Sequence, residues 1–163
     1  MKGIVGKLRG LGMIGVLMAT LFLGVVPVAA QTHIGAGEVS GTWGVAGSPY
    51  LIDGEITVPA GATLTIEPGV QVIFQSWYKL TVNGTLVAEG TQSAPILFTA
   101  QDASPGWLGI RFIDAPDGSR LSYVTVERGR ATGASPDDTG GGIYVRNSNP
   151  VIQHSVIRDN YAR

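Results

Sequence analysis

Residues 58–74, VPAGATLTIEPGVQVIF, carry apolar side chains on alternate positions in very short runs: Leu64 and Ile66, then Val70, Val72 and Phe74. Pro-Ala-Gly and Glu-Pro-Gly separate the runs. Alternation with period two marks a strand buried on one face, and proline followed by glycine marks a tight turn. Proline presets φ for the second position of such a turn and glycine takes the positive φ that follows, so each run is held to about four residues. A strand that short cannot bury itself alone and requires neighbours.

Repetition supplies those neighbours. Val58, Gly61, Thr63, Leu64, Ile66 and Gly69 recur as Val82, Gly84, Thr85, Leu86, Ala88 and Gly90, at offsets drifting from 24 down to 21. The spacing implies a solenoid with three short strands per coil. The first coil is read over 56–58, 63–66 and 70–74, and the second over 80–82, 85–88 and 96–99. A rival register sets Leu64-Thr65-Ile66 over Leu80-Thr81-Val82 at an offset of 16, which is too short for three strands with their turns. A third coil takes 107–112 and 121–127, and a fourth takes 142–145 and 151–158; here Leu121, Val124 and Val126 match Ile152, Ser155 and Ile157 at a constant offset of 31. The added length comes from 128–140, RGRATGASPDDTG, a polar insertion expected to leave the barrel as a loop. The inward stack is expected to hold Leu64, Ile66, Val72, Phe74, Leu86, Ile96, Phe98, Ile110, Leu121, Val126, Ile143, Ile152 and Ile157.

The division of the chain follows from composition. Residues 1–30 read as a secretory signal peptide, with Lys2, Lys7 and Arg9 before an apolar run and Val28-Ala29-Ala30 as a small-residue cleavage site, so a secreted or cell-surface location is expected. Residues 31–49 are small, polar and Gly-rich, with Trp43 as the one large apolar side chain, and read as a lead-in and N-terminal cap; residues 50–163 are the solenoid domain. Removal of the leader takes three of the 11 basic residues and leaves eight against 12 acidic ones. No basic patch survives to bind nucleic acid. There is no cysteine, which excludes disulfides, thiolate metal sites and a cysteine nucleophile.

PAGATLTIEPGV, LTVNGTLVAEG, PILFT and Gly141-Gly142-Ile143-Tyr144 leading to Asn149-Pro150-Val151-Ile152 resemble secreted bacterial right-handed parallel β-helix proteins of the pectin-lyase-like superfamily. The resemblance covers about residues 50–163 and implies an all-β, right-handed parallel β-helix of about four coils. It also implies two classes of function, since the superfamily holds polysaccharide lyases and hydrolases as well as non-catalytic surface proteins. Its lyases use a basic side chain with Ca²⁺ and acidic ligands, and its hydrolases use clustered Asp.

Either chemistry needs several carboxylates converging from successive coils. Asp137 and Asp138 are the one adjacent acidic pair, candidates for a calcium ion or else loop-solvating residues; no other cofactor is indicated. Asp114 and Asp117 read as turn residues, and Arg158-Asp159 as a surface pair. His33 and His154 lack partners at metal-ligand spacing. Asn83, with Asn147 or Asn149, occupies turn positions from which a side chain can bond the neighbouring coil. Trp77, Tyr78 and Tyr144 are candidates to stack on sugar rings, and Trp107 opens a coil. The reading is therefore a non-catalytic surface module in adhesion or glycan binding; the alternative is the N-terminal part of a polysaccharide lyase or glycoside hydrolase. The end at RDNYAR offers no cap, so a longer chain with further coils, or self-association through an open C-terminal end, is expected.

Overall fold

The structure is a computed structural model that describes residues 31–163; the expected signal peptide lies outside the described residues. After β1 (Thr32–Ile34) the strands come in threes. The first three coils are β2 (Gly37–Glu38), β3 (Gly41–Trp43) and β4 (Tyr50–Ile52); β5 (Ile56–Val58), β6 (Thr63–Ile66) and β7 (Gln71–Phe74); and β8 (Leu80–Val82), β9 (Thr85–Glu89) and β10 (Ile96–Ala100). The fourth is β11 (Ile110–Ile113), β12 (Arg120–Ser122) and β13 (Val124–Val126), followed by the short β14 (Arg130–Ala131). The fifth is β15 (Ile143–Arg146), β16 (Val151–Gln153) and β17 (Val156–Ile157), with β18 (Tyr161–Ala162) after it.

Consecutive strands do not pair. Each lies parallel to its counterparts in the coils before and after, making three faces: β2-β5-β8-β11-β15 (face 1), β3-β6-β9-β12-β16 (face 2) and β1-β4-β7-β10-β13-β17 (face 3). This is a parallel β-helix.

Alternation in sequence becomes stacking in space. On face 1, Ile56, Leu80, Ile110 and Ile143 form one inward column. On face 2, Ile66, Ala88, Leu121 and Ile152 form another, and on face 3, Tyr50, Val72, Phe98, Val126 and Ile157 a third. Trp107 fills the space beside face 3, stacked on Phe74 at 4.2 Å, with its indole N–H donating to the Glu127 carbonyl. The 22-residue register of Thr63 on Thr85 and the 31-residue register of Leu121 on Ile152 both match the sequence repeats, and Leu80 pairs with Ile56 rather than with Leu64. Each enclosed aliphatic contributes about 1.5–3 kcal/mol.

Four expectations need correction. The segment 31–49 is not merely a lead-in and cap: β1 to β3 pair with β4 to β6, so it joins the ladders and with β4 makes the first coil, where Trp43 stacks on Tyr50 at 4.7 Å. Its glycines carry no alternation, yet backbone ladders do not require side chains. The runs 121–127 and 151–158 are each two strands, bent at Tyr123 and His154, whose φ values are 49° and 50°. Ile152 and Ile157 occupy the inward columns but are 40% and 47% exposed, and Ile143 is only half-buried, because no coil lies over them among the described residues. The insertion does not leave the barrel; it folds onto face 1.

The corners use left-handed backbone at matching heights: Asp114 over Asn147, Tyr123 over His154, and Arg128 over Asp159 all have φ near 50–60°. Side chains at those corners tie the coils together. Asn83 Nδ2 donates to the Ile113 carbonyl, and Asn147 Nδ2 donates to Asp114 Oδ1.

Candidate ligand-binding face

The outward positions of face 1 are in register: Glu38, Thr57, Thr81, Arg111 and Tyr144 lie in one row. The bend before β8 adds Trp77, Tyr78 and Lys79 beside this row. Alternation requires Arg111, between Ile110 and Phe112, to point outward, yet it is only 1% exposed. The insertion 128–140 covers it as a strap.

The strap is held at its start by Trp77, whose indole Nε1 donates to the Arg130 carbonyl at 2.6 Å. Arg111 binds its middle: Nη1 donates to the carbonyls of Leu108 and Thr139 at 3.1 and 3.2 Å, and Nη2 to that of Pro136. The guanidinium lies 4.6 Å over the Tyr144 ring, a cation–π contact. Asp137 sits between two cations, with Oδ2 3.1 Å from Lys79 Nζ and Oδ1 3.4 Å from Arg111 Nε. Lys79 is also 3.7 Å from Glu55. Burial pushes the Arg111 pKa down, and the negative charge of Asp137 and Asp138 and the Tyr144 side chain oppose that. Two buried polar atoms at this junction, Arg111 Nε and Asp138 Oδ1, have no hydrogen-bond partner.

The base of the strap is tightly closed. A Cβ on Gly129 would overlap the Gly141 carbonyl oxygen. Asn160 accepts from the Gly129 N–H at 2.8 Å and donates to the Val126 carbonyl at 2.9 Å, while β14 pairs with β18.

Trp77 and Tyr144 are thus brought to one face, whereas Tyr78 packs partly against the core. Trp107 is fully enclosed and contacts no solvent. Asp137 faces cations rather than further carboxylates, and among the described residues no group of three or more His, Asp or Glu side chains could hold a metal ion. Arg158 pairs with Glu127 at 2.7 Å and lies 3.9 Å from Asp159, at the corner after face 3. His33 meets Asp53 at 2.7 Å, and His154 stacks on Tyr123 at 5.0 Å. Sequence reasoning missed Arg111, Lys79 and Asn160. An arginine at an outward strand position looks solvated until its cover is known, and that cover begins at residue 128.

A family profile described as a pectate-lyase-like β-helix domain matches residues 41–147, more than half of the chain. The chain belongs to this family. It is also similar to the protein bark beetle of Drosophila melanogaster, at 38% identity in an alignment 78 positions long that covers 42% of this chain and 2% of that protein. The chain therefore corresponds to a very small part of that relative. No solved structure matches significantly. Among the described residues no helix is long and apolar enough to cross a membrane.

Proposed function

We propose that this family member is an exported, non-catalytic surface module that binds glycans through face 1. The observation that carries the reading is the convergence of Trp77 and Tyr144 with Lys79 and Arg111 at face 1, through coil register and the bend before β8. Aromatic rings supply flat apolar faces for sugar rings, and the two cations supply orientation for a charged substituent. Export rests on the leader read at 1–30, and mass spectrometry that found this segment on the mature protein would remove that part of the proposal.

The alternative is a fragment of a lyase or hydrolase, for which Asp137 and Asp138 beside Arg111 are the relevant group. The Asp137 carboxylate is engaged by both cations, which favours binding over proton transfer. The test is binding of the full chain to immobilised alginate, pectin and xylan, with Tyr144→Ala and Trp77→Ala alongside, and assays for reducing ends and unsaturated products on the same polymers. Binding weakened by both substitutions without product release is expected. Product formation would replace this reading with the enzymatic one.

A further inference from the structure

The strap holds its own carboxylate where an incoming anion would sit. Asp137 contacts both Lys79 and Arg111, and the seat under it is closed: Arg111 is 1% exposed and no ligand-sized pocket opens on the described surface. We propose that Asp137 is a tethered stand-in for the anionic group of a glycan, and that residues 132–140 are a cover that must lift before Lys79 and Arg111 can receive an external carboxylate or sulfate ester. The proposal rests on the reading of face 1 as the ligand-binding face.

The strap has no buried core of its own. From Thr132 to Gly140 no residue is fully buried, and the segment is attached by hydrogen bonds and ion pairs to Arg111 and Lys79, with Gly133 against the Trp77 ring and Gly140 against Tyr144. Its own turns are local: Gly133 N–H donates to the Asp137 carbonyl, Asp137 N–H to that of Ala134, and Thr139 N–H to that of Pro136. The cover can therefore move as a unit. Gly140, at φ +64°, ends the segment at a residue whose backbone can change conformation without a side-chain clash. Closure also leaves Asp138 Oδ1 without a hydrogen bond and Arg111 Nε with only the 3.4 Å ion pair to Asp137, and both would be hydrated in the open form. Lifting the strap leaves Lys79 and Arg111 solvated but without the Asp137 carboxylate, so the open seat presents two adjacent cations to an external anion.

Regulation follows from competition. The apparent affinity of face 1 for an anionic glycan is reduced by the fraction of molecules in which the strap is closed. Replacing Asp137 by the isosteric amide keeps its shape and removes the competing charge. The experiment compares the full chain with Asp137→Asn and with a variant in which residues 133–139 are replaced by a Gly-Ser linker. Alginate presents carboxylates, dextran sulfate presents sulfate esters, and dextran is the neutral control. Amide exchange of residues 132–140 is followed without ligand.

Asp137→Asn is expected to speed strap exchange and to tighten binding to alginate or dextran sulfate on the order of tenfold, as for a typical coupling between sites, with dextran unaffected. The linker variant should bind at least as tightly as Asp137→Asn. Equal binding by all three proteins would overturn the cover while leaving glycan binding by face 1 intact. Faster strap exchange with no binding to any polymer in any variant would overturn both readings. Strap exchange unchanged by Asp137→Asn would show that the carboxylate does not hold the cover and would also end the proposal.

Discussion

Leu121 and Ile152 stand one above the other in the same inward column of face 2, and truncating each to alanine measures what enclosure contributes at two heights. Leu121 is fully enclosed, with Ala88 on one side in the column and Ile152 on the other. Backbone ladders hold the coils about 4.8 Å apart, so the site cannot collapse around a missing side chain. Leu121→Ala therefore loses both the transfer free energy and a cavity term, about 3–4 kcal/mol within the usual range for buried leucines. Ile152 is 40% exposed and has no coil over it among the described residues, so its truncation opens no closed cavity. Its loss should be the transfer term for a partly buried side chain, about 1–1.5 kcal/mol.

The assay is equilibrium urea unfolding of both variants beside the parent chain, followed by far-ultraviolet circular dichroism and by tryptophan fluorescence. Trp43, Trp77 and Trp107 report on different heights of the solenoid. A difference between the two variants of at least about 1.5 kcal/mol is expected. Coupling between neighbouring coils should also make Leu121→Ala release the fourth and fifth coils ahead of the first three. Equal losses at the two positions would refute the reasoning, because they would mean that Ile152 is enclosed in solution by a surface that the column geometry leaves open.

Two further outcomes are expected. Hydrogen bonds from Asn147 and then Arg146 hold the Asp114 carboxyl below its ordinary value of 3.8, so its folded pKa is depressed and its contribution is present above that value and lost as pH falls through the folded pKa. Asn147→Ala should thus be less stable than the parent at neutral pH, with the gap narrowing in strong acid to the pH-independent cost of alanine at φ 48°; a gap independent of pH in an acid titration followed by circular dichroism would contradict this. Gly129→Ala forces a Cβ into the Gly141 carbonyl and beside Asn160, so hydrogen exchange should show lost protection in β14, β18 and the strap, with the first three coils unchanged. Unchanged strap protection would show that the base yields without strain.

The coils were legible in the sequence because inward positions must be apolar and turns such as Pro59-Ala60-Gly61 and Pro68-Gly69 are marked by residue type, whereas the bends at Tyr123 and His154 carry neither Gly nor Pro and left no such mark. Leu64 over Leu86 and Leu121 over Ile152 could be aligned by eye for that reason. The segment 31–49 escaped because Gly37 and Gly41 join the ladders through backbone alone, which leaves no side-chain signature. The candidate site was half legible. Trp77, Tyr78, Tyr144 and Asp137 stand out by residue type, but the contact of Asp137 with Lys79 links residues 58 apart in sequence, and no local pattern encodes it. Arg111 was hidden for the same reason, since its burial is produced by a polar segment that composition marks as solvent-facing.

The ladders have a consequence for how such a chain is made. Gly37 waits for Ile56, Leu51 for Ile73, Leu80 for Ile110 and Arg111 for Tyr144, so every strand finds its partner within one turn of newly synthesised chain. A polypeptide emerging amino end first can lay each coil on the one already formed, and no strand has to be held open for a distant segment. The strap is the exception: it reaches back from Asp137 to Lys79 and from Arg130 to Trp77, across a coil that is by then complete. In a vectorial order of assembly the cationic seat exists before its cover arrives.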